Sequence, residues 1–186
     1  MRKIIILLSM FAIMIPSENY KEPKYQLIKK DRNIEIREYG EYIVAKTTVN
    51  KNFDVSENNM FRTLASYIFG NNHQNKKIPM TAPVTTVTKS NSFDMIFYML
   101  DAKNVEELPD TDINNIIFDS FKLGKCAVIK FSWFTNEKKI AKYKRKLERY
   151  LIDENLEPYS NYMVNRYDPP WRIPFLRRNE VLVRIR

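Results

Sequence analysis

The sequence predicts an α+β fold in which an antiparallel sheet or distorted β-barrel carries two helices. Short runs of alternating apolar and polar residues recur along the chain and indicate strands with one buried face. Two longer segments repeat their apolar residues every three or four positions, as an amphipathic helix does. The order strands, helix, two strands occurs twice without any residue-level repeat, which predicts a duplicated architecture.

Alternation and turn residues place the strands in two similar groups. Strands are expected at residues 34–37, 42–49, 80–88 and 93–100, and then at 116–122, 126–134, 159–167 and 181–185. Gly40 separates the first two runs, which we expect to form a hairpin. Gly124 separates 116–122 from 126–134 in the same way, and the acidic stretch 101–115 is expected to be a long loop.

Two helices are expected from apolar spacing. Asp54 and Glu57 resemble a capping box in front of the first helix, and Gly70 marks its end. The second helix is expected over residues 137–155, with its apolar residues on one side. Grooves between a helix and a curved sheet are natural clefts for small ligands.

The N-terminus resembles a signal peptide. Arg2 and Lys3 precede an apolar run over residues 4–15, which suits the apolar region of a signal peptide and is too short to span a bilayer. We therefore expect a signal peptide over residues 1–17, a polar linker over 18–24 and one domain over 25–186, secreted or periplasmic. The alternative is that the apolar run is a buried first strand of a cytosolic protein.

Composition limits the chemistry available to the chain. Three glycines, one cysteine and one histidine exclude a phosphate-binding glycine loop, an internal disulfide and most metal or Ser-His-Asp sites. The net charge of +9 suggests nucleic acid or an anionic membrane as partner. However, the densest basic run, residues 138–149, lies on a predicted amphipathic helix, which favours a solvated face. We expect neither a nucleic-acid partner nor stable membrane insertion.

Four segments together resemble a known family. They are residues 36–45 (IREYGEYIVA), 64–72 (LASYIFGNN), 78–84 (IPMTAPV) and 167–181 (YDPPWRIPFLRRNEV). In order and spacing they resemble the SOUL haem-binding proteins over residues 23–186. The resemblance implies a pseudo-two-fold distorted barrel of about nine strands with two helices. It also implies non-covalent binding of haem or free porphyrin in an apolar cleft beside the first helix, without a fixed iron ligand.

The resemblance also implies a set of contact residues. The matching positions are Phe61, Leu64 and Ala65 on the first helix, Val87 and Phe93 on strands, and Tyr167 and Arg172 after the second helix. Arg172 is the expected partner of a haem propionate, since a guanidinium binds carboxylates strongly. Asn58 and Ser66 stand where well-known relatives carry basic residues, so Arg62 or Lys76 would have to supply that charge.

The sole histidine, His73, suggests an axial iron ligand, but its polar loop favours a solvated side chain. The expected function is therefore non-enzymatic binding of a tetrapyrrole for carriage, scavenging or buffering, by a monomer. One alternative is a binding or sensing module for another amphipathic small molecule. A hydrolase with a carboxylate in the cleft is the other alternative, although none of the glutamates forms a recognisable catalytic arrangement.

Overall fold

The computed structural model describes residues 20–50 and 57–186. Within these ranges the chain forms seven strands and two α-helices. They are β1 (Tyr25–Asp31), β2 (Ile34–Asn50), α1 (Glu57–Ile68), β3 (Val84–Thr88), β4 (Ser92–Tyr98), β5 (Ile117–Phe131), α2 (Glu137–Asp153), β6 (Met163–Arg166) and β7 (Asn179–Arg184). The α+β class predicted from the sequence is confirmed.

The strands form a closed antiparallel barrel. Six of them follow the order β2-β4-β3-β6-β7-β5, and β5 pairs back with β2 to close the ring. The remaining strand, β1, pairs only with β2 and lies outside the ring. Closure gives each of the six barrel strands a neighbour on both sides over part of its length, whereas β1 keeps a free backbone edge.

The pairing pattern confirms the predicted duplication. In the N-terminal half, β2 and β3 both pair with β4, and in the C-terminal half β5 and β6 both pair with β7. The halves join through β2 with β5 and β3 with β6. Each element of one half therefore has a counterpart in the other, with α1 corresponding to α2.

The predicted breaks at Gly40 and Gly124 are wrong, and the described chain has seven strands where the resemblance implied about nine. Both glycines lie inside long strands, and Gly40 passes opposite the region of Gly124, where Tyr39 pairs with Gly124 and Glu41 with Lys122. Gly124 has a φ of +64°, which residues with side chains rarely adopt. The two glycines let β2 and β5 bend together while remaining paired, so four predicted strands are two.

A hairpin was predicted around Gly40, but the chain turns earlier, between β1 and β2. Arg32, with a φ of +52°, lies in the turn that joins β1 to β2. The sequence did not predict β1, because all of its residues are exposed and it lacks the alternation that marks a half-buried strand.

Three apolar clusters hold the fold together. The barrel cluster draws on all six barrel strands and contains Tyr39, Val44, Val87, Ile96, Tyr98, Leu123, Cys126, Val128, Met163 and Leu182. The α1 cluster joins α1 to β2 and β4 through Ile43, Ala45, Met60, Leu64, Tyr67, Ile68, Met95, Phe97 and Met99. The α2 cluster joins α2 mainly to β5 and β7 and is centred on Leu147, Tyr150 and Leu151. Both helices therefore pack on the outside of the barrel.

The predicted end of the first helix is confirmed. Gly70 has a φ of +111°, and the backbone N–H of Asn71 donates to the carbonyl of Ser66 at 3.0 Å, a typical glycine termination. The cap predicted at Asp54 and the signal peptide predicted for residues 1–17 lie outside the described residues. No helix in the described part of the chain is long and apolar enough to cross a membrane.

Candidate functional site

The first half of α1 presents one exposed aromatic side chain above a buried layer. Phe61 keeps 38% of its surface exposed, and its ring meets Phe97 of β4 at an angle of 61°, with 5.4 Å between centroids. Leu64 is fully buried in the α1 cluster, and Ala65, one turn after Phe61, is buried as well. Phe61 is therefore the accessible aromatic side chain of this half of α1, while Leu64 holds the helix against the sheet from behind.

The two strand residues predicted to line the cleft face opposite sides of the barrel wall. Phe93 of β4 packs against the α1 cluster on the outer face. Val87 belongs to the barrel cluster on the inner face. Because side chains alternate along a strand, Thr86 rather than Val87 faces outward on β3. The structure brings Phe93 to the helix side of the sheet and leaves Val87 inside the barrel.

Arg166, at the end of β6, ties α1 to its neighbours and was overlooked in the sequence. Its Nε donates to Oγ1 of Thr135 and its Nη1 to Oγ1 of Thr86, both at 3.0 Å. Its Nη2 lies 3.3 Å from the carboxylate oxygens of Glu57, in the first turn of α1. A guanidinium is thus fixed beside the start of α1. The one signal for it was a cation immediately before Tyr167, at the end of a predicted strand.

Residues 167–178, which we call the β6–β7 segment, are anchored at both ends to one buried carboxylate. The hydroxyl of Tyr167 donates to Oε2 of Glu180 at 2.8 Å. At the other end, Nε of Arg178 lies 3.3 Å from Oε1 of Glu180, and its guanidinium stacks 3.6 Å from the centroid of the Tyr167 ring. Both ends of the segment are therefore bound to the same residue of the barrel, Glu180.

Glu180 is itself held by a buried ion pair across the barrel. Arg37 donates through Nη2 and Nη1 to the two Glu180 oxygens at 2.9 and 3.1 Å, and neither side chain is exposed. Burial acts to raise the pKa of Glu180, but the bonds and charge of Arg37 prevail and hold it below its usual range. Burial and the charge of Glu180 raise the pKa of Tyr167 well above its usual value, so the phenol keeps its proton and donates it in the hydrogen bond.

Arg172 lies in the middle of the β6–β7 segment with an unsatisfied donor. Its side chain is 24% exposed, and its Nε lies 3.7 Å from Oδ1 of Asp168. That Nε is buried and has no hydrogen-bond partner among the described residues. Leaving a buried guanidinium N–H unpaired costs free energy, and the hydrogen-bonding capacity of Arg172 is therefore not fully used within the described chain.

His73 lies in the loop after α1, at the opposite end of this helix from Arg166. Its backbone N–H donates to the carbonyl of Asp110 at 2.8 Å, and its Nε2 lies 3.0 Å from Oδ2 of Asp112. Within residues 20–50 and 57–186, no group of three histidine, cysteine or acidic side chains is arranged to hold a metal ion. His73 therefore lies beyond the C-terminal end of α1, whereas Arg166 lies beside the start of this helix.

Two cavities open beside the segment that follows β4. Their volumes are about 670 and 440 Å³. The first is lined among others by Tyr42, Ile43, Leu100 and Val105, and the second by Ile78, Met99, Leu108 and Pro109. The seven site residues expected from the sequence line neither cavity.

Solved structures of low sequence identity share this fold. A hydrolase from Listeria innocua superposes with a TM-score of 0.63 at 10% identity, over 84% of this chain and 93% of that protein. The EcmrR C-terminal domain superposes with a TM-score of 0.58 at 13% identity, over 87% of this chain and 98% of that domain. At such identity these likenesses show the fold alone. They favour neither the hydrolase nor the sensing-module hypothesis. The comparison with curated protein sequences returned no match.

One family comparison covers nearly the whole described chain. The sequence profile of the SOUL haem-binding protein family matches residues 20–184. This range contains every described strand and helix, together with all the residues placed above. It confirms the resemblance carried by the four sequence segments, and it supports tetrapyrrole binding at the level of the family. The chain belongs to the SOUL haem-binding protein family.

Proposed function

We propose that this chain binds haem or free porphyrin non-covalently, in the open apolar surface between the first half of α1 and the β6–β7 segment. Membership of the SOUL family supports the ligand class. The observation that carries the site is Arg172, whose buried Nε lacks a hydrogen-bond partner among the described residues. The neighbouring side chains of Trp171 and Ile173 are exposed, as an apolar ligand surface requires.

The described side chains suit a flat apolar disc with two carboxylates on one edge. Phe61 and Phe93 supply aromatic surface on the α1 side of the sheet, and aromatic rings stack well on a tetrapyrrole. Arg166 and Arg172 supply two guanidinium groups for the two propionates. Tyr167 holds the start of the segment through Glu180 and acts as a positioning residue.

Apolar burial and hydrogen bonds to the propionates together supply enough free energy without a protein–iron bond. Burying about 350 Å² of apolar ligand surface gives roughly 9 kcal/mol before the costs of association. Losses of motion and solvation consume about half of this or more, which leaves roughly 4 kcal/mol, close to millimolar affinity. Two charge-assisted hydrogen bonds to the propionates, at about 1.5–3 kcal/mol each, bring the total to about micromolar binding. The proposed role is therefore carriage, scavenging or buffering of the tetrapyrrole, and no catalytic step is assigned to the chain.

A parallel titration with hemin and protoporphyrin IX tests this proposal. We expect a shifted Soret band for hemin and quenching of intrinsic tryptophan fluorescence for both, with dissociation constants within about tenfold of each other, a difference under 1.4 kcal/mol. Absence of a spectral change with either ligand would contradict tetrapyrrole binding. Tight binding of hemin alone would show that the iron is ligated by the protein.

Export and a monomeric state are part of the same proposal. Arg2, Lys3 and the apolar run over residues 4–15 support a signal peptide that is removed after Ser17. N-terminal sequencing of the exported protein should begin near Glu18, and an intact Met1 in the cytosol would contradict it. Light scattering after size exclusion should give the mass of a single chain, in the absence and in the presence of hemin.

A further inference from the structure

Large apolar side chains are exposed together at one end of α2. The set, which we call the aromatic patch, consists of Trp133, Phe134, Trp171, Phe175 and Leu176, exposed by 48, 48, 69, 60 and 50%. Single exposed apolar residues are common, but a group of tryptophan and phenylalanine side chains in one place marks an interaction surface.

The members of the aromatic patch come from two segments that are fixed to each other. The backbone N–H of Trp133 donates to the carbonyl of Pro174 at 2.8 Å, and Nδ2 of Asn179 donates to the carbonyl of Trp133 at 2.9 Å. The guanidinium of Arg177 lies 4.7 Å from the centroid of the Phe134 ring. The end of β5 and the β6–β7 segment therefore present one continuous surface, with a cation inside it.

A row of exposed cations begins next to the aromatic patch and runs along α2. This basic stripe consists of Lys138, Lys142, Arg145 and Arg149, all exposed. Their spacing places them on one face of the helix, opposite the buried Leu147. In the described part of the chain, no acidic side chain lies within 4 Å of any of the four. Lys139 connects the two features, since its Nζ lies 5.6 Å from the centroid of the Trp133 ring.

We propose that the aromatic patch and the basic stripe together dock the protein on the surface of an anionic lipid bilayer. Tryptophan and phenylalanine side chains enter the headgroup region, and unpaired lysine and arginine side chains are attracted to anionic lipids. The sequence alone favoured a solvated face for residues 138–149. The structure adds the observation that the aromatic patch lies beside this basic face. The docking is peripheral and does not depend on haem.

Charge decides between a bilayer and other occupants of this surface. A second copy of the chain would bring two basic stripes towards each other, and like charges oppose such an interface. A nucleic acid complements the stripe, but its phosphates would contact Lys142 and Arg145 without any need for Phe175 and Leu176. An anionic bilayer matches both the charge and the apolar side chains.

Vesicle co-sedimentation of the haem-free protein tests the proposal. The chain used begins at Glu18, so that the apolar residues 4–15 cannot themselves enter lipid, and it retains every described element of the fold. Vesicles of phosphatidylcholine are compared with vesicles that also contain phosphatidylglycerol. We expect binding to the anionic vesicles only, and we expect it to weaken as salt is added.

Two variants and a matched control assign the binding to this surface. Phe175→Ser should weaken vesicle binding about tenfold, because it removes one of the inserted aromatic side chains. The control Phe69→Ser changes a phenylalanine of nearly equal exposure, 63% against 60%, outside the patch, and should leave binding within about twofold. The double variant Lys142→Glu and Arg145→Glu should weaken binding about tenfold or more.

Five outcomes would overturn the proposal, and the first four contradict lipid docking itself. They are no binding to anionic vesicles, equal binding to neutral vesicles, equal losses in Phe175→Ser and Phe69→Ser, or a lipid-independent dimer that Phe175→Ser abolishes. Binding that responds to the charge variant but not to Phe175→Ser would also overturn it, and would identify the stripe as a general polyanion site. Circular dichroism of each variant confirms that the fold is retained, which exposed positions allow.

Discussion

The two halves of the barrel place a carboxylate at the same position but use it differently. Asp94 in β4 and Glu180 in β7 are both buried, inward-facing residues near the start of the last strand of their half. Asp94 pairs with the half-exposed Lys89 at 2.6 Å and with Thr48 at 2.9 Å. Glu180 instead pairs with the fully buried Arg37 at 2.9 Å and holds both ends of the β6–β7 segment.

The loop beside each carboxylate also differs in length between the two halves. In the N-terminal half, residues 89–91 join β3 to β4 in a short turn. In the C-terminal half, residues 167–178 join β6 to β7 and carry Tyr167 and Arg172. A duplicated scaffold therefore keeps one short connection for the fold and uses the other, longer one for the proposed ligand site. The stronger anchor accompanies the longer connection.

Breaking the buried pair should have the largest effect. Arg37→Met leaves the buried carboxylate of Glu180 with only the partly exposed Arg178 as a cation, at 3.3 Å, and should lower the free energy of unfolding by about 3–5 kcal/mol. Lys89→Met breaks the corresponding pair near the surface and should cost about 1 kcal/mol or less. Urea denaturation of both variants measures the difference. Similar losses would mean that the two carboxylates are equivalent after all.

The next comparison concerns the ligand. Arg172→Ala should lower hemin affinity about tenfold or more, since a charge-assisted hydrogen bond contributes roughly 1.5–3 kcal/mol. Lys89→Ala, on the short connection, should leave the affinity unchanged. Binding of porphyrin dimethyl ester should hardly respond to Arg172→Ala, because its carboxylates carry no charge. Equal losses for diacid and diester would point to damaged packing and refute the role of Arg172.

Acid should remove the contribution of Glu180. Burial opposes ionisation, but Arg37 and Arg178 hold the pKa of Glu180 in the folded protein below its ordinary value of 4.5. A carboxyl with a lowered folded-state pKa contributes fully above its unfolded pKa, and that contribution is lost as pH falls through the folded value. The stability difference between the parent and Glu180→Gln should therefore be largest near neutral pH and shrink below about pH 4.5. A difference that stays constant down to acid unfolding would contradict this.

The smallest effect is expected outside the proposed site. His73→Ala should leave hemin affinity within about threefold, under 1 kcal/mol, because the structure places His73 beyond the far end of α1 from Arg166. Absorption spectroscopy of the complex provides the measurement. A tenfold loss accompanied by a displaced Soret band would identify His73 as an iron ligand.

The sequence predicted the elements of the fold better than their continuity. Apolar spacing and Gly70 were sufficient for α1, since helix formation depends on local periodicity. The unbroken course of β2 through Gly40 was not predictable, because it depends on pairing with Gly124 across the barrel. A glycine in a strand run is compatible with a turn and with a bend, and only the partner strand decides between them.

The same difference between local patterns and contacts distant in the chain applies to the candidate site. Phe61 and Arg172 were assigned through the resemblance to a known family, and their role as ligand contacts stays a prediction. The pair of Arg37 and Glu180 joins residues 143 positions apart, and no local pattern predicts such a contact. Val87 was expected to line the cleft, but alternation along β3 turns its side chain inward. Which residues of a strand face inward depends on where the strand begins, and the sequence does not fix that position.

Closure of the barrel also sets the order in which the chain can be completed during synthesis. Strand β3 pairs with β6, and β2 pairs with β5, so neither strand has all its partners until the C-terminal half has been made. Until then, the emerging N-terminal half carries unpaired N–H and C=O groups along two strands, and such edges associate readily with other chains. Barrels closed by pairing between distant strands fold in about milliseconds to seconds, slowly for a domain of this size. The newly made first half is therefore the stage at which the strand edges of this chain are most open to association with other chains.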